Sequence, residues 1–372
     1  MKVLILSCST GGGHNSAALA LKEQFVKKGV DCELKDMHTL IHKKKALDAF
    51  HLYSFVAVYL SWLFGALYKI AGLISRPNGR SPVYLFNAKY AKPLRDYMRE
   101  GGFDTVVCTH LFPAEALTRL RRKYPDQFRF YFVATDYTCS PFNEETKPDY
   151  CFIPHADLAD EYRGVAPEQR IALGIPFQEK FAARPSAEEK AAAKEALGFD
   201  GTKKHALIMC GSMGFGRVEL ILYDMRKRLG ERFDYTVLIG YNQKLGARID
   251  KLFGGKVKTV AFTDHAEKYM YAADVVFTKP GGLSSTEAAA CGVTLVHTKP
   301  IPGCETKNAK FFSARGMSIL YKGKKDLDRV FGLLDESPEA AERRQRMKEA
   351  QSANINRNSA RDICEFILHH SA

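Results

Sequence analysis

The chain has 372 residues, 46% of them hydrophobic and 26% charged, a composition typical of a soluble globular protein and not of a disordered or fibrous one. Its length exceeds one average domain and predicts two domains, each with its own core. Nine cysteines form no CxxC pair, which argues against a disulfide framework and indicates a reducing cytosol. The net charge of +13 is concentrated in residues 42–129.

The first predicted strand, residues 3–7, is a continuous apolar run of the kind buried in parallel sheets. It is too short for a signal peptide and lacks a cleavage-like site. A glycine turn and a helix to about residue 28 follow, with His14 at the helix start. Because a helix N-terminus disfavours imidazolium, we expect a neutral His14 that can accept a proton; a capping histidine is the alternative.

The stretch after the second predicted strand, residues 30–35, is unusual. Residues 52–68 carry no charge and many aromatic side chains, and basic residues flank them. This pattern favours a helix lying in a membrane interface; a buried core helix and a membrane span are the alternatives. The residues predicted to contact the membrane or a lipid are Lys43, Lys44, Lys45, Phe55, Tyr59, Trp62 and Phe64.

Buried strands are predicted at residues 103–109, 128–134, 151–154 and 171–177. Functional residues of open parallel sheets gather at the carboxyl ends of strands. His14, His110 and Asp136 follow such ends and are therefore expected to face one cleft.

The pattern of strand, glycine turn and helix restarts at residue 205, which predicts an α/β protein with two Rossmann-like domains. The expected domains are residues 1–174 and 175–354. The last helix, within residues 355–372, is expected to pack back on the first domain.

The stretch from Thr278 to Gly292 predicts a strand end, a Pro/Gly turn and an alanine-rich helix whose start carries hydroxyl residues. The unpaired N–H groups of such a start bind anions, and Glu287 one turn further suits the hydroxyl pair of a ribose. A second Pro/Gly turn, ending at Glu305, follows the next strand. Either turn alone is compatible with ordinary helix capping; together they favour a nucleotide-sugar site.

Five sequence motifs carry a resemblance over nearly the whole chain. They are Gly11-Gly12-Gly13-His14, Thr135-Asp136, Leu173-Gly174-Ile175-Pro176, Thr278-Lys279-Pro280-Gly281-Gly282 with Thr286-Glu287-Ala288, and Pro300-Ile301-Pro302-Gly303-Cys304-Glu305 with Asn308. The chain resembles the diacylglycerol glycosyltransferases, which include monogalactosyldiacylglycerol synthases and processive diacylglycerol glucosyltransferases. This family is related to the peptidoglycan N-acetylglucosaminyltransferase. The resemblance implies a GT-B architecture with two domains facing a central cleft, and an inverting transfer from UDP-glucose or UDP-galactose to diacylglycerol. It implies no cofactor and no metal.

The resemblance and the motifs together suggest roles for individual residues. His14 would take the proton of the acceptor, Asp136 would orient His14 or bind the acceptor, and His110 would lie on the acceptor side. The expected donor-binding residues are Gly13, Gly211, Ser212, Met213, Gly214, Phe262, Thr263, Lys279, Gly281, Gly282, Ser284, Ser285, Thr286, Glu287, Pro302, Gly303, Cys304, Glu305 and Asn308.

The chain departs from the family pattern at two positions. Ser9 stands where plant galactolipid synthases carry an acidic residue, so a mechanism that relies on that carboxylate does not carry over. Cys304 replaces the glutamine usual before Glu305, which leaves the identity of the sugar open.

Three other functions fit parts of the pattern: an N-acetylglucosaminyltransferase acting on a lipid-linked cell-wall precursor, a UDP-sugar 2-epimerase, and a non-catalytic nucleotide-binding protein. Nucleic acid is not an expected partner, because no sheet motif with base-stacking aromatics is present. The expected location is the inner face of the cell membrane, with the protein bound peripherally through anionic lipids.

Overall fold

The computed structural model describes residues 1–8, 12–41, 61–75, 80–125, 127–212, 214 and 218–371. The chain forms two compact units. Unit 1 comprises Met1–Glu179, Ile301–Lys307 and Asn356–Ala372, and unit 2 comprises Lys180–Pro300 and Asn308–Ile355. The first boundary between the two units thus lies five residues beyond the domain boundary predicted from the sequence. The turn at 301–307, which the sequence analysis assigned to the second domain, belongs to unit 1.

Unit 1 is built on a parallel sheet with the strand order β2-β1-β3-β4-β5-β6. Its elements in chain order are β1 (Val3–Ser7), α1 (Gly12–Lys27), β2 (Cys32–Asp36), α2 (Ser61–Ile74), α3 (Pro82–Asn87), α4 (Ala91–Gly101), β3 (Thr105–Cys108), α5 (Leu111–Lys123), β4 (Arg129–Val133), β5 (Tyr150–Ile153) and β6 (Arg170–Ala172). Strands β1 and β3 are buried along their whole length, as their continuous apolar sequences predict.

Unit 2 repeats this plan with the strand order β12-β11-β10-β7-β8-β9. Its elements are α6 (Ala187–Ala196), β7 (Lys204–Met209), α7 (Val218–Leu229), β8 (Phe233–Gly240), α8 (Gln243–Phe253), β9 (Lys258–Ala261), α9 (Ala266–Ala272), β10 (Val275–Thr278), α10 (Gly282–Ala290), β11 (Thr294–His297), α11 (Cys304–Ala314), β12 (Ile319–Leu320), α12 (Leu327–Phe331) and α13 (Pro338–Asn354). Helix α11 begins in the turn that belongs to unit 1. The two-residue strand β12 had no signal in the sequence.

The last helix, α14 (Ser359–His370), returns to unit 1. Its apolar residues Ile363, Cys364 and Ile367 are buried in one cluster with Val3 and Phe25 of the first strand and helix. This packing covers one face of the first sheet, which a parallel sheet requires because both of its faces are apolar.

Candidate functional site

The first sheet changes its winding direction between β1 and β3, which lie side by side although β2 separates them in sequence. Ligands of open α/β sheets bind at such a switch point, beyond the carboxyl ends of the strands. His14 follows β1 and His110 follows β3, and their ring centroids are 4.5 Å apart in an edge-to-face arrangement. The structure therefore brings these two predicted residues together at the expected edge of the sheet.

Two threonines orient the His14 ring. Its Nδ1 lies 2.8 Å from the Thr109 carbonyl oxygen and 2.8 Å from Thr135 Oγ1. A carbonyl oxygen can only accept, so Nδ1 carries the proton and Nε2 keeps its lone pair. Burial lowers the pKa of His14, while the negative charge of Asp136 raises it in part. The sequence predicted a neutral His14 from the helix dipole; burial is the main cause here.

His110 has a structural task. Its Nδ1 accepts a hydrogen bond of 3.1 Å from the Phe112 backbone N–H, which caps helix α5. Burial lowers the pKa of His110 well below its ordinary value, and the neighbouring His14 adds to this effect. A capping histidine of this kind is neutral and keeps a fixed ring position against His14.

The turn at 301–307 places Cys304 among residues of unit 1. The hydroxyl oxygens of Tyr68 and Ser140 each lie 3.2 Å from Cys304 Sγ. Burial, followed by the charge of Asp136, raises the pKa of the Cys304 thiol to about 12. Asp136 thus acts electrostatically on both His14 and Cys304. Cys304, one of the two departures from the family pattern, has a partly buried thiol that joins helix α2 to the loop containing Ser140.

A cavity of about 850 Å³ opens beside this thiol. Helix α2, the loop at 139–144 and the turn at 302–307 form its walls. Lys307 Nζ donates to Thr138 Oγ1 at 3.0 Å, and Thr138 Oγ1 donates to the Glu161 carboxylate at 2.6 Å. One part of its wall is therefore a chain of fixed polar groups, whereas Tyr68 supplies an aromatic surface.

The second sheet has its switch point between β7 and β10. The turn after β7 contains Gly211 and the turn after β10 contains Gly281, and a Cβ added to either glycine would meet no atom of the described residues within 4 Å. At these two glycines, the described residues therefore leave open space beside the backbone. Gly214, at φ +64°, could not carry a side chain, because its Cβ would lie 2.2 Å from the Ile239 carbonyl oxygen.

The hydroxyl residues at the start of α10 differ in what they can offer a ligand. Ser285 Oγ is buried 2.9 Å from His297 Nε2, and Thr286 Oγ1 donates to the Gly282 carbonyl at 2.7 Å. Ser284 remains partly exposed. The first backbone N–H groups of α10 have no partner within the helix, as at any helix start. Anion binding here would rely on these N–H groups and on Ser284.

Glu287 lies one turn into α10 and is only 7% exposed. Burial raises the pKa of its carboxyl group to about 8, Lys180 opposes this shift, and Glu267 adds to it. A carboxyl group with this pKa changes its charge just above neutral pH.

Tyr241 is a candidate that the sequence analysis missed. It directly follows β8, and its ring stacks on that of Phe262 with centroids 4.6 Å apart and planes inclined by 10°. The two residues are 69% and 48% exposed. We call this pair the aromatic ledge. An exposed aromatic at the carboxyl end of a parallel strand was the available signal.

Several other predicted residues have structural contacts of their own. Asn308 Nδ2 donates to the Pro280 carbonyl oxygen at 3.0 Å, and the Glu305 carboxylate accepts from the Ile301 N–H at 2.7 Å. Thr263 Oγ1 accepts from the His265 N–H at 3.1 Å. Outside the described residues lie Lys43, Lys44, Lys45, Phe55, Tyr59 and Met213. Trp62 and Phe64 fall within α2.

Helix α2 has two unlike faces. Leu67, Ile70, Leu73 and Ile74 are between 51% and 79% exposed. By helix periodicity they lie opposite Gly65 and Tyr68, which face the rest of unit 1. A buried core helix is therefore excluded for residues 67–74. In the described part of the chain, no helix has the length and apolar character needed to cross a membrane.

The sequence of this chain is similar to two protein-family models and to known enzymes. Residues 14–177 match the family model of monogalactosyldiacylglycerol synthase, and residues 205–365 match that of the glycosyltransferase family 28 C-terminal domain. The processive diacylglycerol beta-glucosyltransferase of Bacillus licheniformis is 25% identical over 98% of this chain and 94% of its own. Monogalactosyldiacylglycerol synthase 2, chloroplastic, of Arabidopsis thaliana is 26% identical over 89% of this chain and 73% of its own.

Solved structures agree on the fold. MurG of Acinetobacter baumannii superposes with a TM-score of 0.65 at 15% identity, covering 99% of both chains. Anabaena Alr3699/HepE, solved in complex with UDP, superposes with a TM-score of 0.61 at 12% identity over 100% of both chains. The two parallel sheets, each with its switch point, have the GT-B fold of these solved structures, and residues 205–365 match a glycosyltransferase domain. Within that fold, the chain is similar to the diacylglycerol glycosyltransferases.

Proposed function

We propose that this protein transfers a hexose from a UDP-sugar to the hydroxyl group of diacylglycerol at a membrane surface, with inversion at the anomeric carbon. The observation that carries the proposal is the fixed His14 ring, whose Nδ1 is hydrogen-bonded to Thr109 so that Nε2 is free to accept a proton. The names of the relatives support diacylglycerol as acceptor and a hexose as the transferred group.

The donor nucleotide would bind to unit 2. The diphosphate would lie on the N–H groups at the start of α10 and beside the glycine turn after β7, where open space adjoins both backbones. Glu287 would bind the ribose hydroxyls, and the aromatic ledge would stack on the uracil. In the described part of the chain, no three His, Cys, Asp or Glu side chains come together as a metal site. In the proposed transfer, fixed N–H groups stabilise the leaving diphosphate.

The transfer would be a single displacement. The acceptor oxygen forms a bond to the anomeric carbon while the bond from that carbon to the UDP oxygen breaks. The acceptor proton passes to Nε2 of His14, and UDP leaves with the bonding electron pair. The charge of Asp136 favours the imidazolium that results. The cavity of about 850 Å³ in unit 1 would admit the polar end of the lipid.

The exposed face of α2 would lie in the membrane interface. Leu67, Ile70, Leu73 and Ile74 expose apolar surface that the interface would bury, and the exposed Lys69 on the same helix would meet anionic headgroups. We expect the protein to associate with the cytoplasmic face of the membrane in this way.

Incubation of the purified protein with radiolabelled UDP-glucose or UDP-galactose and diacylglycerol vesicles tests the proposal. We expect one labelled glycolipid with one of the two donors, and a β-linked sugar by NMR if the transfer inverts an α-linked donor. Vesicles without diacylglycerol are the control. Binding of UDP without any labelled lipid would reject the proposed acceptor. Conversion of UDP-N-acetylglucosamine to its 2-epimer would favour the epimerase alternative.

A further inference from the structure

Helix α2 touches the turn that the family resemblance assigns to the donor sugar, and two glycines make this contact possible. A Cβ added to Gly65 would lie 2.7 Å from Pro302 Cβ, so the helix backbone rests directly on this proline. Gly303 has φ +118°, a conformation that favours glycine, and a Cβ there would lie 3.0 Å from the ring of Tyr68. The Tyr68 ring therefore occupies the space where a side chain at 303 would project.

Polar contacts fix the same helix at two points. The Tyr68 hydroxyl lies 3.2 Å from Cys304 Sγ, which in turn lies 3.2 Å from Ser140 Oγ. At the C-terminal end of α2, Ser75 Oγ accepts from the Phe142 N–H at 2.9 Å and donates to the Glu144 carboxylate at 3.2 Å. The helix is thus joined to the turn at 302–304 and to the loop at 139–144.

The opposite face of α2 carries Ile70 and Leu73, 53% and 79% exposed. A short helix moves as a rigid rod, so a force on one face shifts the contacts of the other. Binding of the apolar face to a lipid surface would hold the helix, and through it Pro302, Gly303 and Cys304.

We propose that Tyr68 and Gly65 are positioning residues that couple the binding of α2 to a lipid surface to the conformation of the turn at 302–304. When α2 is bound to the lipid surface, these contacts order the turn for the donor sugar. The proposal rests on the proposed function in one respect, namely that this turn contacts the hexose of a UDP-sugar. It predicts that a membrane strengthens the binding of the sugar-bearing donor and leaves the binding of UDP unchanged.

Calorimetry with UDP-glucose, UDP-galactose and UDP, each with and without anionic vesicles lacking diacylglycerol, tests the coupling without turnover. For the wild type, we expect vesicles to increase the affinity for whichever UDP-sugar binds by about five- to tenfold, which is the scale of one hydrogen bond. Vesicles should leave the affinity for UDP unchanged. Equal affinity for the UDP-sugar with and without vesicles would overturn the proposal.

Substitutions separate the Tyr68 contact from general packing. Tyr68→Phe keeps the ring on Gly303 but removes the hydroxyl, and should abolish most of the vesicle effect while flotation with vesicles persists. Cys304→Ser should retain the effect and Cys304→Ala should lose it. Tyr223→Phe is the matched control, because Tyr223 is 62% exposed in unit 2. A full vesicle effect in Tyr68→Phe would reject the role of the hydroxyl.

Gly65→Ala tests the steric contact by a second route. Its new methyl group would displace Pro302, so the KM of the UDP-sugar should rise at least fivefold on vesicles, with UDP affinity unchanged. An unchanged donor KM would contradict the proposal. If the wild type binds a UDP-sugar more tightly on vesicles yet forms no glycolipid, the proposed acceptor fails and the coupling stands.

Discussion

His14 and Thr109 are joined in two ways: Nδ1 of His14 lies 2.8 Å from the Thr109 carbonyl oxygen, and Thr109 Oγ1 donates to the His14 carbonyl oxygen at 3.0 Å. The start of α1 and the end of β3 are thereby tied together at the switch point of the first sheet. This double link fixes both the position of the ring and its tautomer. A general base needs both properties, because the free nitrogen must face the proton that it receives.

His14→Ala should therefore lower kcat by about 10²-fold or more, with UDP affinity nearly intact because the nucleotide is expected on unit 2. Since burial lowers the pKa of His14, the acid limb of the wild-type rate profile should lie below pH 6.5. Steady-state kinetics over pH and calorimetry with UDP provide the two measurements. Near-normal turnover in the variant would remove His14 from the mechanism.

Tyr241→Ala should weaken UDP binding by about tenfold or more, because loss of one base–aromatic stack typically costs about 1–3 kcal/mol. Phe262→Ala should have a comparable effect, since the Phe262 ring stacks on the Tyr241 ring and holds it in place. Tyr223→Ala, at another exposed tyrosine of unit 2, is the control and should bind UDP like the wild type. Calorimetry measures the affinity of each variant for UDP. Equal affinities for all three variants would exclude the aromatic ledge from the uracil site.

The affinity for UDP should rise as the pH rises from about 7 to about 9. In the proposed site, ribose hydroxyls would donate to the ionised form of Glu287, and the pKa of this carboxyl group is raised to about 8 by burial. Below this pKa the affinity should increase by up to about tenfold per pH unit, and above it the curve should level off. Calorimetry above pH 7 avoids the ionisation of the terminal phosphate, whose pKa is about 6.

Glu287→Gln has no carboxyl group to titrate and should bind UDP weakly with a flat profile. Glu267→Gln should shift the wild-type midpoint to lower pH, because the charge of Glu267 raises the pKa of Glu287. A Glu287→Gln profile with the same slope as the wild type would show that another group is responsible.

The sequence predicted the fold well where local patterns determine it. Continuous apolar runs gave β1 at its observed bounds, and α14 lies within residues 355–372, where the last helix was expected. The edge strand β12, two residues long, has too few residues to produce a pattern. The assignment of residues 301–307 to unit 1 depends on contacts of Gly65 and Tyr68 that are distant in sequence.

The candidate site was predictable to a similar extent. Strand ends followed by polar residues predicted that His14 and His110 lie at one edge of the first sheet, and their ring centroids are 4.5 Å apart. The roles assigned to the site residues stay predictions. The pattern of hydroxyls at α10 did not reveal that Ser285 is bound to His297, because this pairing links a helix to the next strand. Tyr241 was missed because an aromatic residue at the end of β8 is a weak signal by itself. Its stacking on Phe262, which follows the neighbouring strand β9, is visible only in the structure.

The exposed face of α2 can be tested apart from the chemistry. Ile70→Ser together with Leu73→Ser should reduce vesicle partitioning by roughly a hundredfold, because each apolar side chain contributes on the order of 1–2 kcal/mol on burial. UDP binding should persist, since these residues are exposed in the folded protein. Leu252→Ser, at an equally exposed leucine of unit 2, is the control. Flotation of the double variant at the wild-type level would exclude this face as the membrane contact.

A buried pair of carboxyl groups should make unit 1 less stable as the pH rises. Glu115 is fully buried on α5, and burial, followed by the charge of Glu145, raises its pKa to about 10. Glu145 accepts the Ser81 N–H at 2.8 Å and the Ser81 hydroxyl. A protonated Glu115 can donate to Glu145, so the neutral acid keeps α3 and α5 together, whereas ionisation would place two negative charges side by side.

The direction of this pH dependence follows from the linkage between protonation and folding. The pKa of Glu115 is higher in the folded than in the unfolded protein, so its stabilising effect is complete below about pH 4.5 and is lost as the pH rises towards about 10. The free energy of unfolding should fall by up to about 1.4 kcal/mol per pH unit between these limits. Glu115→Gln retains the hydrogen-bond donor but cannot ionise, so it should show a shallower decline and exceed the wild type in stability near pH 8.5. Urea titrations followed by circular dichroism at several pH values measure this, with the exposed Glu100→Gln as control. Parallel pH profiles for Glu115→Gln and the wild type would show that this pair does not govern the pH dependence.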